Sequence, residues 1–256
     1  MSSFLSHASD VLVLLSIAGV LIVSALVIAQ LARWLLFAPH AEEADAHSKL
    51  LDLVHTSLLA FIAFMLAISV ADVRGNFGKA DDAVSREAMQ IAAFDREIAE
   101  QDPAWAGPAR EILARYVRTV VETEWPRLGV SEPSLAPEAQ QALDDLRAAL
   151  RQVPARESVR GLLLEHHDRL EVSRMGRFEN ATRSIPRVFW VLIGGFLVGA
   201  MVMNGRHRQT TLTRSLIAVH FAAIGLSIAL ILVLDAPFRG ETSISAKPIA
   251  ESLRRG

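Results

Sequence analysis

Apolar residues run almost without interruption through four stretches, Val11 to Ala32, Leu51 to Ala71, Val188 to Met203 and Ser215 to Leu234, where the one charged residue is Asp52. These stretches are 16 to 22 residues long. At about 1.5 Å of helical rise per residue, the longer three cover the roughly 30 Å of a bilayer core. The third does so if its helix begins at Pro186, a residue suited to the first helical position, with Arg187 at the headgroups. The pattern predicts four transmembrane helices, with spans at about 11–32, 51–71, 186–203 and 215–234. The first is expected to be a retained span and not a secretory signal. Its flank, Met1 to Asp10, has no Lys or Arg, its apolar run is too long, and no small-residue cleavage site follows.

Between the second and third stretches the pattern changes. Asp72 to Ile185 carries 16 basic and 20 acidic residues in 114, which marks a water-facing insert. Its apolar residues recur at helical spacing, as in Ile112, Leu113, Tyr116, Val117, Val120 and Val121, then Leu143, Leu146, Leu150 and Val153. Pro and Gly cluster at 102–108, 126–137 and 154, and these are the expected breaks. Four helices follow, near 72–101, 107–125, 136–152 and 155–184. The predicted fold class is an all-α membrane protein: four transmembrane helices as two hairpins, with an all-helical soluble insert between the second and third spans. The expected divisions are a first hairpin over 1–71, the insert over 72–185, a second hairpin over 186–234 and a short tail over 235–256.

Composition agrees with a chain divided between two solvents. Over 256 residues, 52% are hydrophobic and 21% charged, with no cysteine. Thiol chemistry, iron–sulfur clusters and cysteine zinc sites are excluded, as are disorder and a disulfide scaffold. A net charge of −2 lacks the electrostatic footprint of a nucleic-acid binder.

On a helical projection of the second span, Thr56, Ala60, Ala63, Ala67 and Ala71 form a small-residue ridge, and Leu58, Phe61, Phe64, Met65 and Ile68 a bulky stripe. Small residues admit a close helical neighbour, so Ala60, Ala63 and Ala67 are packing candidates. Two readings stand for the stripe: it meets lipid, or it lines a constriction in an oligomer, where apolar rings gate by dewetting. In the third span, Gly195 and Gly199 make a GxxxG pair, for tight packing or for a hinge. Trp34, Phe37 and Trp190 are expected at the membrane interfaces.

No Asp, Glu, Lys or Arg lies at the centre of a span, so a carboxylate relay of the pump type is unsupported. His220 is the ionisable group furthest inside, as a hydrogen-bonded neutral side chain or as a proton or ion site. His40, Glu43 and His47 share a face at i, i+3 and i+7, which fits a metal site or a solvated loop. Glu165, His166, His167 and Asp168 are consecutive and do not make the one-sided HExxH arrangement. No GxSxG, phosphate loop, dinucleotide fingerprint or kinase set occurs, so no enzyme, metal or cofactor is expected.

The order of elements and three local sequences resemble the bestrophin-like domain family of bacterial integral membrane proteins, catalogued as a domain of unknown function. After the fourth span, Leu234, Asp235, Ala236, Pro237, Phe238, Arg239 and Gly240, then Ile244, Ser245 and Pro248, are similar to that family's Leu-Asp-Arg-Pro-Phe-x-Gly ending. After the second span, Phe77, Lys79, Glu87, Ala88 and Ile91 resemble its aromatic, basic and Glu-Ala pattern, and Pro186 with Trp190 fits the third span. Ala236 stands where the family usually has Arg, and Lys79 alone where Arg is often paired.

Bestrophins proper are pentameric anion channels with a pore lined by the second span. The resemblance therefore implies an oligomeric chloride-type channel, with Phe61, Phe64, Met65 and Ile68 as the pore neck and Arg74 and Lys79 attracting anions. The implied partners are the bilayer, further copies of the chain and inorganic anions, with no nucleic acid. The competing expectation is a membrane-anchored sensory or scaffolding protein whose insert binds a partner or small ligand. A transporter is disfavoured, because no span has a polar or broken midplane site. Eleven Lys and Arg near span ends on the side of the insert, against five opposite, favour a multi-pass bacterial inner-membrane protein with cytoplasmic termini and insert.

Overall fold

A computed structural model describes residues 9–254. Its regular structure is helical throughout, with no strand among the described residues. The helices are α1 (Asp10–Ala32), α2 (Ala41–Ala46), α3 (Ser48–Ala99), α4 (Pro103–Thr119), α5 (Trp125–Leu128), α6 (Pro137–Arg151), α7 (Glu157–Thr182), α8 (Arg187–Met203), α9 (Thr211–Leu234) and α10 (Lys247–Ala250). Four helical stretches, within Asp10–Phe37, Ser48–Ala99, Glu157–Arg206 and Thr211–Leu234, are long and apolar enough to cross a membrane.

Local chemistry sets the helix ends. The Ser9 hydroxyl accepts the Leu12 N–H at the start of α1, and Thr210 does the same for Thr213 at α9. Asp102 accepts the Ala104 N–H with Pro103 in the first turn, so one dipeptide ends the α3 run and opens α4. The segment expected as a single helix over 107–125 is divided. It comprises α4, a π-helical turn over Val120–Glu124, and α5. A second π-helical turn, Arg33–Phe37, extends α1.

The chain forms two compact units. Among the described residues, one comprises Gly75–Arg183 with 236–254, and the other 9–74 with Ser184–Asp235. In the first, Phe94 and Ile98 of α3, Leu113 and Tyr116 of α4, Leu143, Leu146 and Leu150 of α6, and Leu163 of α7 make a fully buried core. The spacing of these residues is the helical periodicity of the sequence, with each helix turning one stripe inward.

In the second unit, α1 packs against α9 and α8. The shared core contains Ala25 and Ala29 of α1, Ile62 and Leu66 of α3, Ile193, Leu197 and Met201 of α8, and Phe221 and Ile231 of α9. The first and last spans meet closely at Gly225, where a Cβ would lie 2.7 Å from the Ala18 Cα. Because that neighbour is backbone, only glycine admits this approach. The expected packing pair behaves unequally: a Cβ on Gly199 would meet the Leu58 side chain at 3.1 Å, while Gly195 faces open space within the chain.

Candidate functional site

In the membrane-crossing part of α3, three faces replace the two of the sequence projection. Ile62, Leu66, Ser69 and Val73 are buried in the chain's own bundle. Phe61, Phe64 and Ile68 are exposed by 53%, 62% and 40%, with Met65 half-buried at the stripe's edge. Ala60, Ala63 and Ala67 are also open within the single chain, and Ala63 and Ala67 line a groove with Ala223, Ile224 and Ser227 of α9. At about 100° per residue, these faces lie roughly a third of a turn apart. Phe61 is steadied by stacking on Phe196 of α8, with centroids 5.4 Å apart and rings inclined by 22°. Arg74 and Lys79 are exposed.

At one end of this bundle, the Asp235 carboxylate accepts the backbone N–H of Ile185 at 3.1 Å, tying the start of the third span to the end of the fourth. At the other end, Arg206 pairs with Asp52 at 2.6 Å, and Arg33 donates to the Arg206 carbonyl. His220 is exposed and lines a cleft of about 450 Å³ with His55, Asn204, His207 and Thr213, a gathering of histidines the sequence did not bring together. Burial lowers the His207 pKa, and the Arg206 charge adds to the effect. His40 and His47 each turn Nδ1 to a carbonyl one helical turn back, of Leu36 and Glu43, so that nitrogen of each ring is engaged with local backbone.

The tail residues have structural work in the other unit. Phe238 is buried and meets Trp125 edge-on, with centroids 5.3 Å apart. Its carbonyl lies 2.7 Å from where a Cβ on Gly129 would be, so the tail and the α5 end close on bare backbone. Pro237 is buried, and its carbonyl accepts the Ile244 N–H at 2.8 Å. Gly240 has φ 86°, a left-handed conformation that admits glycine without strain.

The insert core holds a polar cluster that sequence reasoning missed. Glu87 of α3, Tyr116 of α4, Glu124 of the π-helical turn, and Arg174 and Arg177 of α7 are all at most 3% exposed. Arg177 reaches both acids, with Nε to Glu87 at 2.6 Å and Nη2 to Glu124 at 2.8 Å. Arg174 grips Glu124 through Nε at 3.1 Å, and donates to the Gln140 side chain and the Ala136 carbonyl. The Tyr116 hydroxyl donates to Glu87 at 2.6 Å, and the Ala136 N–H to Glu124 at 2.8 Å. The Arg177 guanidinium also lies over Trp125, 5.4 Å from the ring centroid.

Two carboxylates thus face two guanidiniums, and the cluster carries no net charge. Burial by itself would push the Glu124 carboxyl up, but hydrogen bonds and charge from Arg174 and Arg177 outweigh it and hold the pKa below the ordinary value. Burial and the neighbouring Glu87 charge drive the Tyr116 hydroxyl well above its usual pKa. A signal for the cluster exists in the sequence. Leu163, His167, Leu170, Arg174 and Arg177 recur at alternating steps of four and three, so both arginines continue the apolar stripe of α7.

Comparison with known proteins agrees with this architecture. The sequence model of the bestrophin-like domain matches residues 18–249. A crystal structure of a bacterial bestrophin homologue from Klebsiella pneumoniae, bearing a point mutation, superposes with a TM-score of 0.65 at 14% identity, covering 93% of this chain and 96% of that one. A second mutant of the Klebsiella pneumoniae homologue gives 0.62 at 13% identity over 92% and 95%. A crystal structure described as that of a membrane protein gives 0.64 at 12% identity over 93% and 96%. No curated protein matches the sequence significantly. With the family's sequence model spanning nearly its whole length and its fold shared with these structures, the chain belongs to the bestrophin-like domain family.

Proposed function

We infer that this protein is a homo-oligomeric anion channel of the chloride type. The observation that carries the reading is the exposed bulky stripe of α3. Phe61, Phe64 and Ile68 stand open while the neighbouring face of Ile62, Leu66 and Val73 is buried in the chain's own bundle. A helix so divided has apolar surface to present to other copies of the chain. Around an axis, Phe61, Phe64, Met65 and Ile68 form a narrow apolar neck that gates by dewetting. The small ridge Ala60, Ala63 and Ala67 supplies a close contact between neighbouring helices, and Gly195 and Gly199 support packing of the third span. Arg74 and Lys79, exposed beyond the neck, raise local anion concentration. Asp235, Pro237, Phe238 and Gly240 hold the tail in place. The chain sits in a bacterial inner membrane with the insert of 72–185 and both termini in the cytoplasm.

The test is reconstitution. Folded, oligomeric protein in liposomes is expected to pass a chloride-dependent current, and Phe61→Ala to change its conductance. Flux no greater than that of empty liposomes rejects the channel reading.

A further inference from the structure

The outer face of α7 carries an arrangement that neither the fold nor the proposed pore uses. His167 is fully buried, and its Nε2 lies 2.9 Å from the Leu143 carbonyl of α6. A carbonyl only accepts, so Nε2 carries the hydrogen, and in the neutral ring Nδ1 presents a lone pair. Nδ1 has no hydrogen-bond partner. Two carboxylates lie beside Nδ1, with Asp168 Oδ1 at 3.6 Å and Glu171 Oε2 at 3.9 Å. All three ligand atoms lie within 4.8 Å of one another. A ring nitrogen and two carboxylate oxygens gathered this closely suit a cation. Arg147 reaches the two acids at 3.4 and 3.6 Å but makes no hydrogen bond to Nδ1, and its side chain is 41% exposed.

We propose that His167 Nδ1, Asp168 Oδ1 and Glu171 Oε2 form a binding site for a zinc-class divalent cation, with water in the fourth position. Zinc bonds of 2.0–2.2 Å at tetrahedral angles place ligand atoms about 3.4 Å apart. The observed spacings need only small movements of the two side chains that reach solvent. An imidazole among the ligands selects zinc-class ions over calcium and magnesium, which take oxygen. By accepting from Nε2, the Leu143 carbonyl would hold the ring in place for a metal at Nδ1. Adjacent residues point in different directions along a helix, which argues against a site from sequence. Here the buried ring reaches over its neighbour's carboxylate, and Glu171 joins from one turn further on.

The experiment uses the full chain in detergent, freed of any histidine tag and titrated with zinc against a chromophoric chelator. One zinc per chain is expected, with a rise in thermal midpoint. Asp168→Asn and Glu171→Gln alter surface-reaching groups, and circular dichroism checks their fold; each should weaken binding by roughly tenfold or more. Arg147→Gln removes the competing cation and should bind at least as tightly as wild type, and His40→Asn should bind equally. Absence of zinc binding in the wild-type chain, unchanged affinity in both carboxylate variants, or weaker binding in Arg147→Gln overturns the assignment.

Discussion

Single buried charges decide how the insert holds together. Glu124→Gln leaves Arg174 and Arg177 without their shared carboxylate in a buried core, a change expected to cost about 3–5 kcal/mol, read as a lower thermal midpoint of the purified chain. Tyr116→Phe removes only the hydroxyl that donates to Glu87 and should cost about 1–3 kcal/mol. The pH dependence has a definite sign. Because the folded Glu124 pKa is depressed, its contribution is full above the unfolded value near 4.5 and is lost as pH falls through the lowered folded value. Thermal midpoints measured downward from pH 7 should therefore drop below about pH 4.5. Glu124→Gln should flatten that drop, and an unchanged acid profile in the variant would assign the loss to other groups.

At the scale of elements, α3 and α9 show how a helix serves neighbours of different kinds. Hydropathy identifies both as spans but does not say which side of each meets protein. The α3 stripe of Phe61, Phe64 and Ile68 and its Ile62, Leu66 and Val73 face are equally apolar, yet only the second is covered within the chain. Apolar side chains carry no label for lipid, pore or core, so this division came from packing. On α9, Gly225→Leu forces a side chain against the Ala18 backbone and should destabilise the bundle by about 1–3 kcal/mol, seen as earlier thermal aggregation in detergent. Gly195→Leu meets open space within the chain, so a comparable loss there would reveal contact with another copy. The π-helical turn at Val120–Glu124 was not legible at all. Its residues continue the helical period, and the wider turn that accompanies the burial of Glu124 satisfies charges contributed by α7, 50 residues away.

For the whole molecule, the topology prediction is direct to check. The sequence has no cysteine, so Ser134→Cys, at an exposed site in the insert, introduces the one thiol. With the insert cytoplasmic, an impermeant maleimide should leave this thiol unlabelled in intact cells and label it after lysis. Labelling of intact cells would reverse the orientation and favour a sensory role outside the membrane.

The sequence by itself determined the four apolar stretches, the helical insert and the family resemblance. Each follows from local statistics of charge, periodicity and short motifs, quantities that a bilayer or a helix surface reads residue by residue. Tertiary structure alone decided that Glu87, Glu124, Arg174 and Arg177 are buried partners, that the first and last spans meet at Gly225, and that His167 faces two acids. A charge written in a sequence is the same whether it meets water or an opposite charge. Only the return of α7 beside α3 and α4, across as many as 90 residues, turns scattered polar side chains into a neutral core.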